Sequence, residues 1–278
     1  MRRWFSFIPF FALAGLNVFA GTVTDSPGAR FPVALGSRPA TAEELARVRT
    51  ALLQVARDQS RWAYTETRVV KDDKGRVREA TVVRFDPSKP YPEQYTPLEI
   101  EGRPPSEKQL REYRRKGERR GQRLERAEGP QERSNKWSLR DAVDISSATI
   151  VREDDQAVDF ELPLHKLENG PFPPEKFQVI ARLDRSAGRV ETVAVRLREP
   201  MRAKLVLKIK SGDATIAFTT VDPKFAPAMT AVHGDASASI LFVNVGADFA
   251  LTRSDLKRVK PYGDRFGVEI GPTQALDF

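Results

Sequence analysis

Residues 62–85 read WAYTETRVVKDDKGRVREATVVRF, and this stretch decides how the chain folds. Its first part, Trp62 to Val70, is rich in aromatic and β-branched residues, which favour strands. Residues 71–75 (KDDKG) have the composition of a turn, and Arg76 to Phe85 then returns as a second β-forming run. The stretch therefore predicts an antiparallel hairpin.

An amphipathic helix is predicted directly before this hairpin. Residues 41–44 (TAEE) match a capping box, in which a threonine hydroxyl and a glutamate carboxylate satisfy free amides at a helix start. Leu45, Val48, Leu52 and Val55 then recur at helical spacing, so we expect the helix to run to about residue 60. Its apolar stripe must pack on a partner, and the sheet begun by the hairpin is the nearest one.

The part of the chain after Trp137 reads as a series of strands joined by local turns. Regular spacing of this kind predicts an antiparallel meander rather than a parallel sheet. The predicted fold class is α+β: a large curved antiparallel sheet, half-barrel-like, with the N-terminal helix packed on it, in one β-rich domain over 41–278. Further strands are expected at 95–100, 148–152, 157–162, 177–183, 189–197, 203–210, 214–221, 237–245, 249–259 and 265–270, with turns at 183–189 and 210–213.

A strongly charged insertion interrupts the strand pattern between 106 and 136. It holds eleven basic and six acidic residues, and glycines at 117, 121 and 129 make it a poor continuous helix. We expect a helix to about Lys116 and then a mobile arm. The arm could contact an anionic partner or membrane surface, although a solvated linker of mixed charge has the same composition. The candidate contact residues are Arg111, Arg114, Arg115, Arg119, Arg120 and Arg123.

The start of the chain has the three parts of an export signal. Arg2 and Arg3 precede an apolar run over 4–14, and Val18 and Ala20 occupy the positions that a signal peptidase reads. We predict a signal peptide at 1–20 and a flexible leader at 21–40. The alternative, an uncleaved anchor, would need about 20 apolar residues. The expected location is the periplasm of a bacterial envelope or the medium.

The amino-acid composition limits the classes of partner that such an exported protein can have. The chain has no cysteine, so it cannot be acylated at a cysteine or held by disulfides. Its net charge is +8. In the cytoplasm this balance would suggest nucleic acid, but an exported protein meets anionic lipid head groups, acidic glycans and other envelope proteins instead. We therefore expect no nucleic-acid partner.

Catalytic and metal-binding patterns are weak. The histidines, His165 and His233, lie in turn-like contexts, and the sequence has no Gly-x-Ser-x-Gly nucleophile elbow. The acidic clusters at 72–73 and 153–155 fall where turns need polar residues. A dispersed pair of carboxylates, drawn from Glu66, Glu79 and Glu161, leaves an envelope hydrolase as a minor alternative. We predict no enzyme activity, no catalytic residues, no metal and no cofactor.

Aromatic residues on the predicted strands supply the main functional hypothesis. Most of them must form the core beneath the sheet, but a curved sheet with a helix on one face can also leave an apolar concavity for an acyl chain. The candidate lining residues are Trp62, Tyr64, Phe85, Phe160, Phe218 and Phe242.

The order of these parts resembles the LolA-like periplasmic lipoprotein-carrier fold, a family that also includes lipoprotein receptors and envelope regulators. The resemblance is carried by the signal peptide, the helix at 41–60, the strand that begins Trp62-Ala63-Tyr64-Thr65, the hairpin over 71–75 and the long run of strands. The charged insertion at 106–136 departs from it. The resemblance implies an unclosed β-barrel that binds a lipid or a lipidated protein.

We therefore expect a non-catalytic envelope protein that binds a lipid, a lipoprotein or another envelope protein. The main alternative is a scaffolding protein with a filled core that uses its arginine-rich segment on an anionic partner.

Overall fold

The computed structural model describes residues 36–127, 142–166, 173–203, 207–240 and 243–265. The predicted signal peptide, most of the predicted leader and nearly all of the last predicted strand lie outside these residues. The helices are α1 (Ala42–Asp58) and α2 (Glu107–Ala127). The strands are β1 (Arg38–Pro39), β2 (Trp62–Asp72), β3 (Val77–Phe85), β4 (Tyr95–Ile100), β5 (Thr149–Glu153), β6 (Ala157–Glu161), β7 (Phe177–Asp184), β8 (Val190–Leu197), β9 (Met201–Ala203), β10 (Leu207–Thr219), β11 (Ala228–Ile240) and β12 (Val243–Arg258).

The described strands form one antiparallel sheet of 12 strands that does not close on itself. Its order is β1-β5-β6-β7-β8-β10-β11-β12-β2-β3-β4, and the short β9 pairs with one end of β10. The strand β12 lies between β11 and β2, so it joins the hairpin β2–β3 to the rest of the sheet. The α+β class, the large antiparallel sheet and the N-terminal helix packed on it are confirmed.

Both helices pack on the same side of the sheet, which we call the inner face. Register identifies it, because Val193, Ile216, Val232 and Leu251 are successive partners across β8, β10, β11 and β12. The helix α1 lies over the β5–β8 end of this face and shares a core with residues such as Phe160. The helix α2 lies over the β2–β4 end. The two helices therefore cover opposite ends of one face.

The predicted capping box is present at the start of α1. The Glu44 amide donates to the Thr41 hydroxyl at 3.3 Å, and the Thr41 amide donates to the Glu44 carboxylate at 2.7 Å. Arg38 binds the same carboxylate at 2.8 Å and lowers its pKa to about 2. Arg38 and Pro39, expected in the flexible leader, instead form β1 and pair with β5. This ion pair and strand pairing extend the ordered chain beyond the predicted boundary.

The prediction that the helix of the charged insertion ends near Lys116 is wrong, because α2 continues to Ala127. Gly117 and Gly121 let the helix approach the 3-10 turn at Tyr91–Glu93. A Cβ atom on Gly117 would lie 1.9 Å from the Tyr91 carbonyl oxygen, and one on Gly121 would lie 2.4 Å from the Tyr91 ring. The close packing offsets the poor helix propensity of glycine, which costs about 1 kcal/mol per residue. Residues 128–136 of the insertion lie outside the described part.

The predicted turn at 210–213 is also wrong. These residues lie inside β10, where the pairing with β11 shifts by one residue between Ile209 and Ser211. Gly212 and Gly234 suggested turns, yet both sit in the ladder as partners of Ala236 and Ala214. The strand β11 begins at Ala228, well before the predicted start at 237. Glycines within long strands account for both errors.

We predict that Gly117→Ala destabilises the protein by about 1–3 kcal/mol, although alanine is the better helix former. The added methyl group would overlap the backbone of Tyr91. Urea unfolding followed by circular dichroism measures the change. Gln122→Ala, at an exposed position of the same helix, is the control and should be neutral or slightly stabilising. Equal behaviour of the two variants would contradict the close packing of α2 on Tyr91.

Candidate functional site

The middle of the inner face, between α1 and α2, is apolar and partly exposed. We call it the central face. Its residues lie on β2, β8, β10, β11 and β12, and each is neither fully buried nor fully exposed: Val70, Val195, Ala214, Ile216, Phe218, Ala236, Ala247 and Phe249.

Register places these residues side by side. Val195 opposes Ala214, and Phe249 opposes Val70, while Gly234 lies between the two pairs. The next row of the ladder pairs Ala236 with Ala247. The floor of the central face is therefore made of glycine and alanine, and larger side chains stand around it. The small side chains thus lie lower on the sheet than the larger ones beside them.

The two sides of these strands differ sharply in polarity. The inward positions from Gly212 to Phe218, from Val232 to Ala238 and from Val245 to Leu251 carry no charged residue. The outward positions of the same strands include Asp213, Asp235 and Asp248, which are successive partners across three strands. Burial and the neighbouring Asp235 raise the pKa of Asp213. The outer side is thus a solvated polar surface, whereas the central face is apolar.

One end of the central face is closed by packing. Trp62, Ala228, Phe225 and Leu256 belong to one cluster there. Beside it, Arg258 binds Asp58 at the end of α1 at 3.0 Å, and its guanidinium lies 3.8 Å from the Phe225 ring centre. The amide of Ala226 donates to Asp58 at 3.2 Å. These contacts fix the loop after β10 over this end.

An aromatic ladder lies beneath α2, beside the central face. Tyr64, Phe85 and Tyr95 are register partners across β2, β3 and β4. The ring centres of Tyr64 and Phe85 are 5.1 Å apart, and those of Phe85 and Tyr95 are 4.9 Å apart. Tilted aromatic pairs attract each other at these distances. All three side chains are buried. The ladder forms the seat of α2 and is not an open lining.

A buried ion pair borders the ladder. The Arg253 Nε atom donates to Glu66 Oε2 at 2.7 Å, and the two side chains are 3% and 4% exposed. The Arg253 guanidinium also lies 3.8 Å from the centre of the Tyr64 ring. Burial raises the pKa of Tyr64. These groups satisfy one another inside the fold, on the same side of the sheet as the central face.

Lys116 reaches from α2 into this region. Its Nζ atom lies 4.6 Å above the Tyr95 ring and 5.4 Å from the Tyr113 ring. Burial lowers the pKa of Lys116 to about 7, against the opposing effect of Glu66 and with a smaller contribution from Arg68. The side chain is therefore a buried cation near its titration point at neutral pH.

The structure distributes the predicted lining residues unevenly. Trp62, Tyr64 and Phe85 meet in the cluster under α2, and Phe160 lies in the core under α1; all four are buried. Phe218 alone among the described candidates borders the central face. Phe242 lies outside the described residues.

The sequence reasoning missed the central face itself. The available signal was the alternation of apolar and polar residues over 213–219 and 244–252, which places Ala214, Ile216 and Phe249 on one side. Weighting aromatic residues over alanine and glycine concealed this signal.

The predicted arginines also separate into two groups. Arg111, Arg114, Arg115, Arg119 and Arg123 are exposed on the outer side of α2. Arg120 instead faces the sheet. Its guanidinium lies 5.4 Å from the Phe85 ring centre.

Arg120 also contacts Gln94, which follows the 3-10 turn at Tyr91–Glu93 and is 1% exposed. The Arg120 Nη1 atom donates to the Gln94 side-chain oxygen at 3.1 Å.

The three carboxylates considered for hydrolysis each lie beside an arginine. Glu66 pairs with Arg253, Glu79 with Arg68 at 3.3 Å, and Glu161 with Arg198. Within the described residues, no group of three or more acidic, histidine or cysteine side chains is placed to hold a metal ion. No described helix is both long enough and apolar enough to span a membrane.

Comparisons with protein-family models, curated proteins and solved structures found no match to this chain. The resemblance to the lipoprotein-carrier fold therefore stays a prediction.

We predict that Lys116→Met stabilises the protein more at pH 6 than at pH 9. The pKa of this lysine is about 7 in the folded state, against 10.5 for the free side chain. Below pH 7 the lysine is charged in both states, and burying this charge lowers the free energy of unfolding. This destabilisation decreases as the pH rises from about 7 towards 10.5, because the folded protein then holds the lysine in its neutral form. Urea unfolding at both pH values measures it.

Lys108→Met is the matched control, because Lys108 is exposed on the same helix. Its effect on stability should be small and should not change between the two pH values. A pH-independent effect of Lys116→Met would contradict the buried position of this side chain.

Proposed function

We propose that the protein binds the apolar chain of a lipid or of a lipidated protein at the central face, without catalysis. The observation that carries this proposal is the partly exposed strip across β8, β10, β11 and β12, which is floored by alanine and glycine and has no charged residue at the inward positions of β10, β11 and β12. On β2 the strip meets Val70, with Arg68 and Asp72 on either side of it. Large contiguous apolar patches on the surface of a folded protein usually mark a site that binds a ligand, a membrane or another protein.

The surroundings of the strip support an elongated ligand. The helices α1 and α2 flank it, and the cluster of Trp62, Phe225 and Leu256 closes one end. Side chains such as Ile216 and Phe249 stand around a low floor. Transfer of a methylene group from water to such a surface contributes about 0.8 kcal/mol, so several methylenes are enough for useful affinity.

The proposal places this activity outside the cytoplasm, in the bacterial envelope or the medium. Its support is the charged, apolar and small-residue order of residues 1–20. N-terminal sequencing of protein recovered from the envelope of an expressing cell tests it. Export predicts a mature chain beginning at Gly21, and an intact N-terminus in the cytoplasm would reject this part of the proposal.

We predict that Ala247→Trp abolishes or strongly weakens binding of a fluorescent fatty acid. Ala247 lies on the floor of the central face opposite Ala236, so an indole ring there would fill the space. Ala250→Trp is the matched control, because Ala250 lies on the same strand and faces the other side. It should bind as the unchanged protein does.

Native mass spectrometry of protein purified from its envelope, with solvent extraction, provides the independent readout. Lipid retained by the unchanged protein and by Ala250→Trp, but lost from Ala247→Trp, is the expected result. An empty protein that also takes up no fatty acid would reject the carrier and favour a scaffolding protein with a filled core.

A further inference from the structure

The outer side of α2 carries a row of arginines at a constant spacing of four residues: Arg111, Arg115, Arg119 and Arg123. We call it the basic row. All four side chains are exposed. Side chains four apart on a helix are neighbours, and three such steps span about 18 Å at 1.5 Å per residue. The row is therefore a continuous cationic edge.

The row arginines lack the carboxylate partners that several other described arginines have. Arg38, Arg76 and Arg182, for example, are each bound to a carboxylate. Within the described part of the chain, none of the four row arginines forms an ion pair, and Arg123 donates only to the Arg119 carbonyl, at 3.1 Å. The helix holds nine basic and four acidic residues, so the charge of the row is not neutralised locally.

Such a row is unfavourable for the helix that carries it. Like charges four residues apart repel, and two glycines further weaken α2 as a helix. The helix persists because Tyr91 packs against Gly117 and Gly121, and because Arg120 and Lys116 reach the sheet. The packing thus fixes the four charges on a rigid support that faces away from the protein.

We infer that the basic row docks the protein on an anionic phospholipid surface. The row presents four guanidinium groups on the side of α2 that faces away from the sheet, and a guanidinium binds phosphate oxygens through its planar fork of N–H donors, which suits a surface of phosphate groups. The attraction is electrostatic, because Leu110 and Leu124, which are 37% and 39% exposed, share the half of the helix that carries Tyr113 and Gly117 and not the row. Docking there would hold the flank of the central face against the bilayer. The inference rests on α2 and stands without a ligand at the central face.

Vesicle flotation tests the inference with the full mature chain. Binding should be strong to vesicles of equal parts phosphatidylglycerol and phosphatidylcholine, and absent with phosphatidylcholine alone. It should weaken with salt, because the Debye length falls from about 10 Å at 0.1 M to about 3 Å at 1 M. Replacing all four row arginines by glutamine should lower partitioning about 100-fold or more, since each basic residue near the surface contributes about fivefold.

The matched control removes four exposed positive charges elsewhere, through Arg49→Gln, Arg57→Gln, Lys208→Gln and Lys224→Gln. This variant has the same net charge and should still bind. A second variant with lysine at the four row positions keeps the charge and should also bind, and circular dichroism checks that α2 is intact in each.

Equal loss of binding in the row and control variants would overturn the inference, because net charge alone would then explain it. Equal binding to neutral vesicles would overturn it as well. Tighter binding to poly-glutamate than to anionic vesicles would assign the row to an acidic polypeptide instead. Loss of fatty-acid binding with retained vesicle binding would reject the proposed carrier function but leave this inference standing.

Discussion

The antiparallel pairing of β12 with β2 is the constraint on which the rest of the structure depends. It joins a strand near the end of the chain to the first long strand, and without it the β2–β3–β4 end would have no ladder to the remaining strands. The ion pair of Glu66 and Arg253 spans this seam. The attraction between two buried charges is little larger than the free energy needed to remove them from water. The main effect of this ion pair is therefore to fix the register of β12 against β2 and not to add stability. A shift by one residue would turn Arg253 to the outer side and leave Glu66 buried without it.

This seam also explains why, among the described residues, an apolar strip is only partly covered. By joining the two ends into one wide sheet, it places α1 over β5–β8 and α2 over β2–β4, and the core clusters of the two helices lie at opposite ends of the sheet. Each helix packs in its own core cluster. Val48 and Leu52 of α1 lie in the cluster that contains Phe160, and Tyr113 of α2 packs on the cluster that contains Trp62. The middle of the inner face is therefore left to side chains such as Ile216 and Phe249, at a cost of about 25 cal/mol for each Å² of apolar surface left in water. A bound acyl chain would recover that free energy.

Local patterns in the sequence were enough to predict the class of the fold. The capping box at Thr41, the hairpin around residues 71–75 and the turn-bounded strands all depend on neighbours in the chain. The errors come from distant contacts. The second half of α2 is helical because Gly117 packs on Tyr91, which no local pattern reveals.

The candidate site was harder to predict than the fold, for a related reason. Phe160 and Phe218 look alike in the sequence, yet one is buried under α1 and the other borders the central face. Their different environments depend on where the two helices lie on the sheet, which the local sequence does not show. The floor of the central face is alanine and glycine, which give little hydrophobic signal, and these residues come together only because β10, β11 and β12 pair in this register.

The most direct test of the central face is methyl NMR of protein labelled at valine and isoleucine, in which intermolecular NOEs to a bound fatty acid are measured. Val69 and Val70 are adjacent in β2 but point to opposite sides of the sheet. A ligand on the central face should give NOEs to the methyl groups of Val70, Val195 and Ile216 and none to those of Val69. NOEs to Val69, or none to Val70, Val195 and Ile216 when the fatty acid is bound, would contradict binding at this face.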